Sequence, residues 1–79
     1  MNEQELKQNG FIFQSKANLD EDGCFYKWWV LKVRDITIYY TQEYNDQNEV
    51  VLSYWEVNDH QLKNPTKDDI LTLIRILSN

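Results

Sequence analysis

Few residues of this chain could do chemistry: one histidine, His60, one cysteine, Cys24, and an acidic run, Asp20-Glu21-Asp22, ahead of Gly23. A general base at His60 would need a partner to orient the imidazole and a proton donor within hydrogen-bond reach. Asp59 does not provide the partner, because adjacent residues of an extended segment point apart. His60 therefore reads as an exposed linker histidine. Cys24 would be a nucleophile only with a base and a lowered pKa, and no neighbour supplies a positive charge. It reads as a semi-buried packing residue. The acidic run lacks the alternating ligands and closing glutamate of a calcium loop, which leaves a solvated turn. With two glycines in the chain a phosphate cradle is hard to build, and neither GxSxG nor HExxH occurs. Paired carboxylates for glycoside chemistry would need a cleft, which so small a sheet rarely forms. The reading is against an enzyme, with no catalytic residue, cofactor or metal ligand assigned.

The elements that would position any site must come from 79 residues, read as one domain over 1–79. That is near the size where a single hydrophobic core suffices unaided. Three Trp, five Tyr and three Phe compensate, since each can bury on the order of 150 to 250 Å². A single cysteine excludes an intrachain disulfide and a cysteine-rich zinc site. The start, MNEQELKQNG, lacks the basic and apolar parts of a secretory signal, and no apolar run reaches transmembrane length. A cytoplasmic setting without membrane contact is expected.

The net charge of −5 is unevenly placed, with the basic residues Lys27, Lys32 and Arg34 grouped around one hairpin. Nucleic-acid binders concentrate cations because counterion release supplies their affinity, and here acids prevail. The basic group is expected to keep the hairpin end soluble.

Asn2 can cap a short helix over Glu3 to Gln8, stopped by Gly10. A strand follows from Phe11 to about Ala17, then the turn-rich Asn18 to Gly23. Phe25 to Val33 and Ile36 to Tyr44 form the central hairpin across Arg34-Asp35, although arginine is poorly suited to positive φ. After the polar turn Asn45 to Asn48, a fourth strand spans Glu49 to Val57, with Tyr44 expected opposite Glu49. Asn58 to Asn64 reads as a polar connection. Pro65 to Leu77 reads as a helix capped by Thr66, with Asp69 completing a capping box and Ile70, Leu73, Ile74 and Leu77 forming its apolar stripe. The expected fold is α+β: a short N-terminal helix and a four-stranded antiparallel meander covered on one face by the C-terminal helix.

Parity divides the strands into two sets. Trp29, Leu31, Val33, Ile36, Ile38 and Tyr40 face the core, joined by Val51, Ser53, Trp55 and Val57. The other face receives Tyr26, Trp28, Val30, Tyr39, Leu52 and Tyr54, with Glu43 beside them. A small domain has one core, so this second apolar set is the candidate partner-binding surface, rich in the residue types of binding hot spots. The bland alternative is strand-forming aromatics partly covered by the N-terminal segment. Base stacking is the weaker use of such a platform in an acidic chain.

The short helix ending in Asn9-Gly10-Phe11, the strands with Lys27-Trp28-Trp29 and Ile38-Tyr39-Tyr40, and the capped helix from Pro65 together resemble small uncharacterised proteins of bacterial prophages and other mobile elements. The resemblance implies a phage or bacterial cytoplasmic setting and action by binding a host or phage protein. It transfers no catalytic residue. The function expected is that of a small acidic protein-binding module, of accessory or inhibitor type, acting through the aromatic face or an acidic edge. The alternatives are a structural homodimer through the same face and, behind it, a small-ligand binder or enzyme.

Overall fold

Val33 and Ile36 close a hairpin on two residues, and the large side chains alternating on either side of it organise the sheet. In the computed structural model, which describes residues 1–79, the order is α1 (Glu3–Gln8), β1 (Ile12–Asn18), β2 (Phe25–Val33), β3 (Ile36–Tyr44), β4 (Val50–Val57), β5 (His60–Gln61) and α2 (Lys67–Ser78). The strands form one antiparallel sheet in the order β1-β2-β3-β4-β5. The fold is α+β, a meander with two helices.

The β2–β3 register is the expected one, from Val33 opposite Ile36 to Phe25 opposite Tyr44. Arg34 does adopt a positive φ, 56°, at the first turn position, as a II′-type hairpin requires. Its guanidinium donates to the Asn79 carbonyl at 2.7 Å, so the residue that strains the turn also ties it to the end of α2.

β4 differs from expectation by two residues. Tyr40 lies opposite Trp55 and Glu43 opposite Leu52, and then the register slips so that Tyr44 meets Val50. The cause is a bulge at Val51 beside a loop that Asn45 organises by accepting the N–H of Gln47 and of Glu49, each at 2.9 Å. A shift of two preserves which residues share a face. It leaves Val51 and Ser53 exposed, outside the core they were expected to join. A fifth strand, within the expected polar connection, pairs Gln61 with Glu56 and His60 with Val57.

The core gathers on one face of the sheet. Trp29, Ile38, Tyr40 and Trp55 pack with Phe11, with Leu6 of α1 and with Ile70 of α2, and Leu31, Ile36, Val57, Leu73, Ile74 and Leu77 surround them. Aromatic rings carry much of this contact: Tyr40 and Trp55 lie 4.1 Å apart by centroid, and Phe11 meets Trp55 edge-on at 5.7 Å. Both helices therefore cover the same face, and Glu5 of α1 pairs with Lys67 of α2.

Each helix begins with a full capping box. Asn2 Oδ1 accepts the Glu5 N–H at 2.8 Å, and Thr66 Oγ1 accepts the Asp69 N–H at 3.1 Å while the Asp69 carboxylate accepts the Thr66 N–H at 2.9 Å. Thr66→Ala is expected to cost about 1 kcal/mol. In a domain of this size that lowers the thermal midpoint by about 4 to 8 °C, measurable by circular dichroism.

Candidate interaction face

The register carries the seven candidate residues to one side of the sheet. Trp28, Thr41 and Tyr54 form a cross-strand row; Val30, Tyr39 and Glu56 form the next row, and Tyr26, Glu43 and Leu52 the one on the other side. Tyr26, Trp28, Val30, Tyr39, Leu52, Tyr54 and Glu43 are thus neighbours. The N-terminal segment does not cover them: Leu6 packs with Trp29 on the opposite face, and Glu3 lies 3.6 Å from Lys27, which shares that face.

With no helix above it, this face shields itself. Thr41 at its centre is only 6% exposed, although nothing but side chains of the same sheet face can lie over it. Tyr26 and Trp28 stack at 5.3 Å with planes 26° apart, and Trp28 and Tyr54 flank Thr41 on the two neighbouring strands. The aromatics lie as a mat over the sheet and are partly buried, whereas Leu52 at the margin is 51% exposed. Burial pushes the Tyr54 phenol above its usual pKa, helped by the carboxylates of Glu43 and Glu56 and opposed by a hydrogen bond with Thr41. The phenol stays neutral at pH 7, a polar handle among apolar rings.

The basic group read from the sequence is dispersed. Lys27 sits on the helical face, where its ammonium lies 5.3 Å from the Tyr44 ring centroid, Lys32 is on the aromatic side, and Arg34 is engaged at Asn79. From Asp35 to Leu62 the chain has six acids and no Lys or Arg. The β3–β4 half of the molecule is accordingly negative, with Glu43 and Glu56 on the aromatic face itself.

The remaining candidates for chemistry stand apart. His60 is exposed opposite Val57, at the level of Ile38 on β3, whereas Cys24 precedes Phe25, at the level of Tyr44. Six residues of strand separate those levels, roughly 20 Å. No three His, Cys, Asp or Glu side chains converge as a metal site would require. No helix is long and apolar enough to cross a membrane.

Cys24 borders a depression of about 420 Å³ that also involves Glu21, Glu43 and Tyr44. Gly23 makes the approach of two loops possible there: its φ is +78°, and a Cβ would lie 2.7 Å from Asp46 Cβ. Burial raises the Cys24 thiol pKa, and the Glu21 and Asp46 carboxylates raise it further, with Sγ 3.8 Å from Glu21 Oε2. The thiol therefore stays protonated where an ordinary cysteine begins to ionise. Iodoacetamide at pH 8 is expected to alkylate Cys24 more slowly than free cysteine, and Glu21→Gln should accelerate the reaction, as followed by mass spectrometry.

Compared with known proteins, the chain matches no family model, no curated protein and no solved structure.

Proposed function

We propose that this chain is a small acidic protein-binding module whose aromatic sheet face docks on another protein. The observation that carries the reading is the placement of both helices on one side, which leaves Tyr26, Trp28, Val30, Tyr39 and Tyr54 facing outward in a protein with little core to spare. Monomeric proteins seldom present a contiguous apolar patch without using it. The mat is already ordered, because its rings shield Thr41, so docking would freeze few rotamers. Trp28 and Tyr54 are the anchors, and Glu43 and Glu56 steer a partner of positive potential. An accessory or inhibitor protein in a phage or bacterial cytoplasm is the setting that fits this mode of action.

The test is the double variant Trp28→Ala with Tyr54→Ala. Anchors of this type are worth about 2 kcal/mol or more each, so loss of both should lower capture of the partner from host lysate on the order of several hundred-fold while far-UV circular dichroism is retained. Unchanged capture would remove the face from the interface. Light scattering over a concentration series addresses self-association: a dimer that the double variant dissolves would make a second copy of the chain the ligand of this face.

A further inference from the structure

The open edge of β4 is a different surface, and its exposed chemistry is that of the backbone. Asn58 N–H donates to the Thr37 carbonyl at 2.8 Å, across the β3–β4 pair. Leu62 N–H donates to the Trp55 carbonyl at 2.8 Å, from the other side of β4. Because the direction of backbone groups alternates along a regular strand, from Leu52 to Asn58 the even-numbered residues turn their N–H and C=O toward β3 and the odd-numbered ones turn theirs outward, and the Val51 bulge ends that alternation. β5 pairs only with Glu56 and Val57, so Ser53 points its donor and acceptor into solvent, flanked by Val51.

Such an edge is a template for another strand, and proteins usually blunt it with lysine, proline or a bulge. The opposite edge, β1, is blunted in this way by Lys16 and by an irregularity between Phe13 and Ser15. β4 carries its bulge at its start, and Val50 to Tyr54 includes no charge and no proline. Val50, Val51 and Leu52 are 48%, 61% and 51% exposed. Beside this stretch, where β5 stops, lies a depression of about 390 Å³ between Ser53 and Trp55 on one side and Leu62 and Pro65 on the other. A side chain of an added strand could seat there.

Charge selects the occupant. From Asp35 to Leu62 there are six acids and no Lys or Arg, and two of them, Glu49 and Glu56, bracket the free stretch. A second copy would bring its own Glu49 and Glu56 to the same edge, whereas a cationic segment would neutralise them.

We propose that the outer edge of β4 takes a short extended segment of another protein, alternating apolar and basic residues, as a sixth strand. The inference rests on the reading of the chain as a protein-binding module but uses the edge instead of the aromatic face. Main-chain bonds at Ser53 would hold the segment, the depression by Pro65 would take one apolar side chain, and Glu49 and Glu56 would meet its cations.

Selection of a displayed random heptapeptide library on the immobilised protein at low salt tests this. Enrichment of peptides alternating apolar residues with Lys or Arg is expected. A selected peptide, synthesised, should slow hydrogen exchange at the Ser53 amide and lose affinity with added salt. Ser53→Pro removes the outward donor and should weaken binding at least tenfold. Ser53→Lys keeps the backbone intact, adds a cation at the edge and should do the same. Trp28→Ala should leave the peptide's affinity unchanged. The proposal is overturned if no peptide or only acidic peptides enrich, or if binding ignores both Ser53 variants. It is equally overturned if peptide binding responds only to Trp28→Ala, which would support the aromatic face alone. A concentration-dependent dimer that protects the Ser53 amide without peptide would assign the edge to a second copy and overturn it too.

Discussion

Trp29→Ala is expected to remove about 3 to 5 kcal/mol of the domain's stability. Trp29 is 1% exposed at the centre of the sheet, where its ring meets Phe13 edge-on at 5.6 Å and Tyr40 at 6.0 Å. Removing a buried tryptophan side chain costs about 3 to 5 kcal/mol, because the lost burial is compounded by a cavity that its neighbours fill only in part. A domain of this length has about 4 to 12 kcal/mol in total. The variant should therefore lose a large share of its unfolding free energy in a urea titration, whereas Trp28→Ala, one residue away on the other face, should lose far less. A Trp29→Ala protein with a wild-type urea midpoint would contradict the core assignment. The comparison also separates the two faces energetically, since of the neighbouring tryptophans of one strand Trp29 lies in the core and Trp28 on the face that no helix covers.

Leu6→Ala is expected to cost about 2 to 5 kcal/mol and to release α1 from the sheet. Leu6 is fully buried and is the only buried residue of a helix of six residues, a length that does not hold its shape in water alone. Its capping box satisfies the first turn but supplies no tertiary contact. Amide exchange should report the release, with residues 3–9 losing protection before the strands do. Retained protection in α1 would show that Met1 and the Glu5–Lys67 pair suffice to dock it. Exposed ion pairs contribute only about 0 to 1 kcal/mol, which is why loss of protection is expected.

The two faces were legible in the sequence because side-chain parity survives errors that register does not. A two-residue loop fixed Val33 opposite Ile36, and the same logic across Asn45 to Asn48 placed β4 two residues away from its position. One residue of that difference comes from the loop, which puts Val50 opposite Tyr44, and the other from the Val51 bulge, which has no sequence signature, since valine is as much at home in a regular strand. β5 has no signature in the sequence, because two polar residues are too few to show a period. The seven residues of the candidate face could be grouped from alternation alone. That both helices lie opposite them could not, because α1 commits to a face through Leu6 only. The burial of Thr41 was likewise invisible, for a threonine under aromatic rings looks in sequence like any strand threonine. Lys27 and Lys32 are close along the chain, yet a separation of five residues puts them on opposite faces.

The meander order also governs how the chain reaches this structure. Every strand hydrogen-bonds only its neighbour in sequence, so the sheet can zip from the Arg34-Asp35 hairpin outward through short loop closures. The long-range closure is that of α2, whose end meets the hairpin turn across 45 residues. A sheet formed before that closure would expose Trp29 and Ile38 on one side and the aromatic mat on the other. Such a species would be the most adhesive one along the pathway, and the speed of α2's arrival would set how long it lasted.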